Sequence, residues 1–367
     1  MSDVAIVHDY LTQRGGAERV VLSMMKAFPE APLYTSLYAP DRTFPEFAGA
    51  DIRTLPLNSW SVFRNHHRLA LPLLAPAFSR LEVDARVVLC SSSGWAHGVR
   101  VTGRKIVYCY APARWLYQGN AYIGGAGARR YVKASALKIL RRRLIQWDKQ
   151  AAATADRYLT TSSAVRDRIQ REYGIDAEIV PSPPALKPAG PRRPIAGLDE
   201  GFVLCVSRLL PYKNVDVIVE AFDRLRDQRL VVVGSGPAAA AIAESASPNV
   251  SFLGSVDDSE LRWLYGSCSG LVAASYEDYG LTPLEAAVFG KPSAVLRWGG
   301  FLDTVVEGET GVFFDEPSAH DIHAGVVEML ARPWEGERLR RHAASFSEEN
   351  FIRRLRTVVA EEAAQFA

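Results

Sequence analysis

Three stretches of this chain combine charge, glycine and a helix start in an order suited to phosphates and sugar hydroxyls. The first, Gln13-Arg14-Gly15-Gly16-Ala17-Glu18, stands directly behind the apolar run 4–7 and ahead of a helical pattern over 17–28. Glycines let a ligand approach the backbone closely and a helix start favours an anion, so Gly15, Gly16 and Ala17 are candidate contacts. The stretch is neither G-x-G-x-x-G nor a P-loop, and a plain tight turn would read the same way. The second, residues 207–214, projects Arg208 and Lys213 from one loop. Two fixed cations suit a diphosphate and would neutralise charge growing on a leaving group without a metal; the competing reading is two solvated surface charges. The third, Glu277-Asp-Tyr-Gly-Leu-Thr-Pro-Leu-Glu285, places one carboxylate in a loop and another eight positions on. Gly280 and Pro283 fit a tight turn into the first turn of a helix. The amides of Gly280, Leu281 and Thr282 would then meet phosphate oxygens, Glu285 would accept from two ribose hydroxyls, and Glu277 would hold sugar hydroxyls.

These loops need strands behind them and helices ahead. Short β-rich runs alternate with helical patterns along the whole chain, as in parallel sheets wrapped by helices. In the first half the strand candidates are 4–7, 87–90 and 105–108. In the second they are 202–206, 230–233, 250–253, 270–273 and 293–296, with helical patterns beginning near Val215, Ala238, Asp258 and Thr282. Six prolines over 181–194 exclude a continuous helix or central strand there. The reading is an α/β chain with an N-terminal domain over 1–182, a Pro-rich linker over 183–197 and a second doubly wound domain over 198–346. A C-terminal helix over 347–367 carries Phe351, Ile352, Leu355, Val358, Val359 and Phe366 on one face and is free to cross back to the first domain. Ligands of open α/β sheets bind at strand ends, so a cleft between the two domains is where chemistry is expected.

Composition narrows the classes. With 367 residues, 48% hydrophobic, the chain is long enough for two α/β cores. A formal charge of +2, from 43 basic and 41 acidic residues, excludes a global field for nucleic acid. Cys90, Cys109, Cys205 and Cys268 stand singly in apolar segments, as small buried residues of a reducing compartment do. No Asp-x-Asp occurs, so no metal anchor is expected. The start lacks a basic region before an apolar stretch, and no apolar run reaches the ~18 residues of a membrane span, which predicts a cytoplasmic chain. One local exception is 129–149, with eight basic residues, one acid, and Leu137, Leu140, Leu144 and Trp147 at helical spacing. It reads either as a solvated basic face over the core or as a dock for anionic lipid headgroups, peripheral on the inner face of a membrane.

Taken together, the three stretches resemble the family 4 retaining glycosyltransferases of the GT-B fold, and the likeness covers nearly the whole chain. It rests on the glutamate pair, the Arg208/Lys213 loop, Phe289-Gly290-Lys291-Pro292, Gly299-Gly300 and Glu307-Gly308-Glu309-Thr310-Gly311. His8-Asp9-Tyr10 and Thr161-Ser162-Ser163 with Ile179-Val180-Pro181 add to it. The resemblance implies two Rossmann-like domains facing each other across a cleft, retention of anomeric configuration, and no cofactor beyond a nucleotide-diphosphate sugar. It favours GDP-mannose over UDP-sugars and a glycan or lipid-linked acceptor. It implies a same-face route in which the departing diphosphate takes the acceptor's proton. It also places His97 beside the transferred sugar, hydrogen-bonded to a hydroxyl, whereas a histidine near Trp95 read by itself is structural. The loop Tyr108-Cys-Tyr-Ala-Pro-Ala-Arg114-Trp115 departs from the pattern, with Tyr110 where a histidine is expected.

Two other classes stay open on the residues. One is a nucleotide-sugar-binding relative, an epimerase or a non-catalytic protein. The other is an NAD(P)-dependent oxidoreductase, because Val233-Gly234-Ser235-Gly236 opens like a dinucleotide loop; Ala239 holds the third glycine's place, and Phe252-Leu253-Gly254 brings no acid.

Overall fold

The computed structural model describes residues 2–117 and 130–366. The chain divides into two compact units, Met1–Ser182 with Glu348–Ala367, and Pro183–Ser347.

The first unit is built on strands β1 (Ser2–His8), β2 (Leu33–Thr35), β3 (Ile52–Thr54), β5 (Ala85–Ser92), β7 (Arg104–Cys109), β8 (Arg157–Thr160) and β9 (Glu178–Ile179), with β4 (Glu82–Val83) and β6 (Arg100–Val101) paired apart. The sheet order is β3-β2-β1-β5-β7-β8-β9, and all the pairings are parallel. A parallel sheet is covered on both faces, so its central strands are apolar throughout: Ala5–Val7, Val87–Cys90 and Ile106–Tyr108 are all buried. Helices α1 (Gly16–Ala27), α2 (Ser61–Asn65), α3 (Leu71–Arg80), α4 (Arg114–Tyr117), α5 (Arg130–Ala152) and α6 (Ser163–Tyr173) accompany it. Helix α6 starts and stops on local signals: the Ser162 side chain accepts from the Val165 amide, and Gly174 closes it in the left-handed region. Because β1 neighbours β2 on one side and β5 on the other, the order reverses at β1. The carboxyl ends of β1 and β5 therefore flank the crevice in which such sheets take ligands.

The second unit carries β10 (Val203–Val206), β11 (Leu230–Val233), β12 (Val250–Gly254), β13 (Gly270–Ala273), β14 (Ser293–Leu296) and β15 (Gly311–Phe314), ordered β12-β11-β10-β13-β14-β15. Helices α7 (Val215–Ala221), α8 (Ala239–Ser245), α9 (Asp258–Ser267), α10 (Leu281–Val288), α11 (Phe301–Thr304), α12 (Ala319–Ala331) and α13 (Gly336–Ser345) wrap it. Its order reverses at β10 and β13, which puts the loops 207–214 and 274–280 at the switch point.

One segment sits differently from the sequence reading, and the last helix takes the course left open to it. Residues 183–197 form no helix or strand, yet they belong to the second unit: Leu186 is buried in its core, with Ile195 packed on the same cluster. The last helix, α14 (Glu348–Gln365), belongs to the first unit. It buries Phe351, Leu355, Val358 and Val359 beside α1 residues and Tyr108. Ion pairs Lys26–Glu348 at 2.8 Å, Arg104–Glu362 at 2.7 Å and Arg157–Glu361 at 2.5 Å fix its ends.

Residue 129 and the side chains of 130–140, with four of the eight basic residues and with Leu137 and Leu140, lie outside the described residues. In the described remainder the apolar stripe is a core face: Leu144 and Trp147 pack on the first unit's core, and Trp147 Nε1 donates to Ser79 Oγ at 2.7 Å. Arg141, Arg142 and Arg143 are exposed, with Arg141 tied to the Leu116 carbonyl. No helix among the described residues is long and apolar enough to cross a membrane.

Candidate active site

At the switch point of the second unit the loop after β10 and the loop after β13 enclose a cavity of about 140 Å³, lined among others by Ser207, Lys213, Glu277, Gly280, Leu281 and Thr282. Lys213, 11% exposed, pairs its Nζ with Glu277 Oε2, while that ammonium also lies 5.1 Å from the Tyr212 ring centre. The two residues stand 64 positions apart in the chain, so only strand order joins them. Asn214 sets the cation loop: it is the one non-glycine with positive φ among the described residues, at 52°, and its Nδ2 donates to the Ala274 carbonyl at 2.8 Å. Asparagine tolerates the left-handed region, which lets the chain turn from Lys213 straight into α7. Glu277 is held from behind by its carbonyl, which accepts from the Gly300 amide at 2.9 Å.

Helix α10 opens on this cavity. Its N-cap Gly280 has φ 84° and no side chain to cap the first turn. A Cβ at Gly280 would stand 2.5 Å from Phe301, so the position needs glycine on both counts. The first amides of α10 thus lack an intrahelical acceptor, and an anion placed there would satisfy them. The other expected residues lie around this point rather than in it. Glu285 is buried on α10, where its Oε2 accepts from the buried Tyr265 hydroxyl at 2.9 Å. Arg208 is exposed and donates to the Tyr212 hydroxyl at 3.2 Å.

In the first unit, Gly15 ends the turn in extended backbone, and Gly16 and Ala17 open α1, again with no side-chain cap. A chain of hydrogen bonds supports this start. His8 Nδ1 meets Ser91 Oγ at 2.9 Å, Ser91 Oγ meets the Tyr110 hydroxyl at 2.9 Å, and that hydroxyl donates to the Ala17 carbonyl at 3.2 Å. Tyr110, standing where a histidine was expected, therefore anchors the glycine turn. Burial dominates the local titration: it pushes His8 down to about 4, and it lifts Asp9 to about 6 and Glu18 to about 7. Asp9 accepts from the Ser93 and Ala96 amides, both at 2.6 Å, and so shapes the loop after β5.

His97 departs from the expectation that it faces the transferred sugar. It is 2% exposed, its Nδ1 lies 2.9 Å from Ser92 Oγ, and its Nε2 lies 3.1 Å from Asp148 Oδ1 without hydrogen-bond alignment. Asp148 Oδ2 in turn accepts from the Tyr117 and Tyr173 hydroxyls, each at 2.7 Å. Both ring nitrogens face protein, so here the imidazole orders the loop after β5 instead of offering an edge to a ligand. Asp148 carried no sequence motif, and Asp9 and Asn214 stood in quoted stretches without an assigned role; their partners come from other strands or loops. The one available signal was an asparagine between a cationic loop and a helix.

Two further features constrain the chemistry. Gly234 and Gly236 are filled by packing: a Cβ at either would stand 2.0 Å and 2.3 Å from the Ser207 and Leu209 carbonyl oxygens, so these glycines seat one loop on another. That accounts for the Val233–Gly236 stretch without a dinucleotide. Among the described residues no three His, Cys, Asp or Glu side chains gather as a metal site would.

Comparison with known proteins agrees with this architecture. Residues 14–186 match the model of Glycosyltransferase Family 4, and residues 192–346 match that of Glycosyl transferases group 1. Among curated relatives, a GDP-mannose-dependent alpha-(1-6)-phosphatidylinositol monomannoside mannosyltransferase of Mycolicibacterium smegmatis is 30% identical over 152 residues, 37% of this chain and 40% of that protein. A D-inositol 3-phosphate glycosyltransferase of Mycobacterium tuberculosis is 30% identical over 174 residues, 42% of this chain. The matches span only 35–40% of the length of these relatives. In fold, the chain superposes on sucrose-phosphate synthase from Thermosynechococcus elongatus with a TM-score of 0.72 at 19% identity, covering 100% of both. It superposes on Anabaena HepE in complex with UDP and glucose with a TM-score of 0.69 at 13% identity, covering 98% of this chain and 100% of that one.

Proposed function

The chain belongs to the family 4 glycosyltransferases, of GT-B fold, and from that premise we propose that it transfers mannose from GDP-mannose, with retention and without a metal, onto a glycan or lipid-linked acceptor. The observation that carries the proposal is the pairing of Lys213 with Glu277 in a cavity that also receives the uncapped start of α10. A nucleotide diphosphate seated there would exchange Glu277 for phosphate oxygens as the partner of Lys213. The amides of Gly280, Leu281 and Thr282 would take the remaining charge, and Arg208 would turn in from Tyr212. Glu277, released, would accept from sugar hydroxyls, and Glu285 from the ribose.

As the bond from anomeric carbon to phosphate oxygen breaks, the electron pair leaves with the diphosphate. Lys213, Arg208 and the amides stabilise that charge, which then takes the proton from the attacking acceptor hydroxyl on the same face. No protein nucleophile is needed. The glycine turn Gly15-Gly16-Ala17 is assigned to the acceptor or to a phosphate, with His97 acting through the loop it orders. GDP is preferred because the mycobacterial mannosyltransferase relative bears it in its name. A lipid-linked acceptor would bring the exposed Arg141–Arg143 run near anionic headgroups.

The test is thermal unfolding with nucleotide diphosphates, since a ligand of the folded state raises its stability by mass action. GDP should raise the transition, equally in EDTA, and UDP should not. Lys213→Ala and Arg208→Ala should each keep the unliganded transition and lose ~2–4 kcal/mol of transition-state stabilisation, a fall in turnover of about 30- to 900-fold. A shift with UDP alone, a shift abolished by EDTA, or two variants within threefold of wild-type activity would each refute the corresponding part.

A further inference from the structure

Tyr265 stands in the last turn of α9 and is fully buried. Its ring lies nearly parallel to that of Phe289, with centres 5.6 Å and planes 14° apart, in an apolar cluster with Leu264, Leu271 and Ala286. A phenylalanine would fill that space equally well. The hydroxyl is what needs a reason, because a buried O–H without a partner is costly. Its partner is Glu285 Oε2, at 2.9 Å. Burial also pushes the phenol well above its usual range, so it stays a donor at any physiological pH.

Glu285 sits on α10, the helix whose start opens on the cavity, and is itself buried between Leu284 and Ala286. A carboxylate offers about four acceptor sites and is costly to bury unless donors meet them. Tyr265 meets one. Because the ring is clamped by its stack on Phe289, this bond fixes the direction of the carboxyl group as well as satisfying it. A carboxylate already held in place loses less freedom when vicinal hydroxyls dock on it than one that must first be ordered. We propose that Tyr265 is the positioning residue that makes this site select nucleoside diphosphates with an intact ribose over analogues lacking its hydroxyls, by holding Glu285 ready for them. The proposal rests on the reading that Glu285 accepts from the ribose. It adds to that site a residue twenty positions away, on a different helix.

The experiment measures binding of GDP and of 2′,3′-dideoxy-GDP to the full chain, well below its unfolding transition. Wild type should prefer GDP by about tenfold or more, the worth of a hydrogen bond to a charged acceptor. Tyr265→Phe keeps the ring and removes only the hydroxyl. Its affinity for GDP should fall by about fivefold or more while that for the dideoxy analogue stays within about twofold, so the preference shrinks. A merely structural tyrosine would weaken both ligands alike. Should Tyr265→Phe fail to fold, Phe289→Leu takes its place, since it keeps the hydroxyl and removes the ring stacked on it; the preference should shrink there too. A folded variant with the wild-type preference intact would overturn the proposal and leave the donor reading standing. Wild type that binds both nucleotides equally would overturn the proposal together with the ribose role of Glu285. Should the chain bind UDP in place of GDP, the choice of base fails and the same comparison runs with UDP and its dideoxy analogue.

Discussion

Glu18 shows how far burial can move one group. It sits on the first turn of α1, 1% exposed, with its carboxyl lifted from 4.5 to about 7 by desolvation. A folded value above the ordinary one means that folding favours the protonated form. The contribution is complete below pH 4.5 and is lost as pH rises through 7. Asp9 behaves alike between 3.8 and about 6. His8 opposes both, because its value falls from 6.5 to about 4, so its contribution is present above 6.5 and lost as pH falls towards 4. Glu18→Gln keeps the shape and removes the titration. Relative to wild type the variant should gain stability between about pH 5 and pH 8, by up to about 3 kcal/mol. Thermal unfolding at the two pH values measures it, and parallel curves for variant and wild type would sink the assignment.

Helix starts divide into two kinds at the next scale. Helices α6, α9 and α12 are capped by the side chains of Ser162, Asp257 and Ser318, so their first amides are already satisfied. Helices α1 and α10 begin at Gly15 and Gly280 with no side-chain cap, as do α2, α3, α7, α8, α11 and α13; α1 and α10 are the two whose glycine starts are assigned to ligands. Gly280→Ala tests the second. A left-handed alanine costs ~1–2 kcal/mol before the contact with Phe301 is relieved. The variant should therefore unfold at lower temperature and lose its response to GDP. An unchanged transition together with an unchanged GDP response would show that the turn is not the phosphate cradle.

For the molecule as a whole, the C-terminal helix is the decisive piece, because α14 completes the core of a unit whose other residues end at Ser182. Phe351, Leu355, Val358 and Val359 each contribute ~1.5–3 kcal/mol by burial. Their sum is comparable to the ~5–15 kcal/mol by which a domain is stable at all. Deleting 348–367 should abolish cooperative unfolding of the first unit and expose it to proteolysis, while the fragment containing 183–347 survives digestion. Two undiminished calorimetric transitions in the deletion variant would show that the helix is dispensable.

Much was legible because it is local. The runs at 4–7, 87–90 and 230–233 read as buried strands since a parallel sheet is covered on both faces, and Gly280 before Pro283 read as a turn into a helix because backbone conformation is set within a few residues. The cation loop at Arg208 and Lys213 and the carboxylates at Glu277 and Glu285 could be picked out by residue type and their distance from a strand. What those groups touch could not. Lys213 meets Glu277 across 64 residues, and Tyr110 replaces a histidine yet anchors Ala17. His97 looked like a ligand contact and is enclosed by Ser92, Asp148 and Trp147. Each of these outcomes depends on which strands become neighbours. That order is decided by long-range packing, where the loss of chain entropy is offset only when the whole sheet closes, so no local pattern records it.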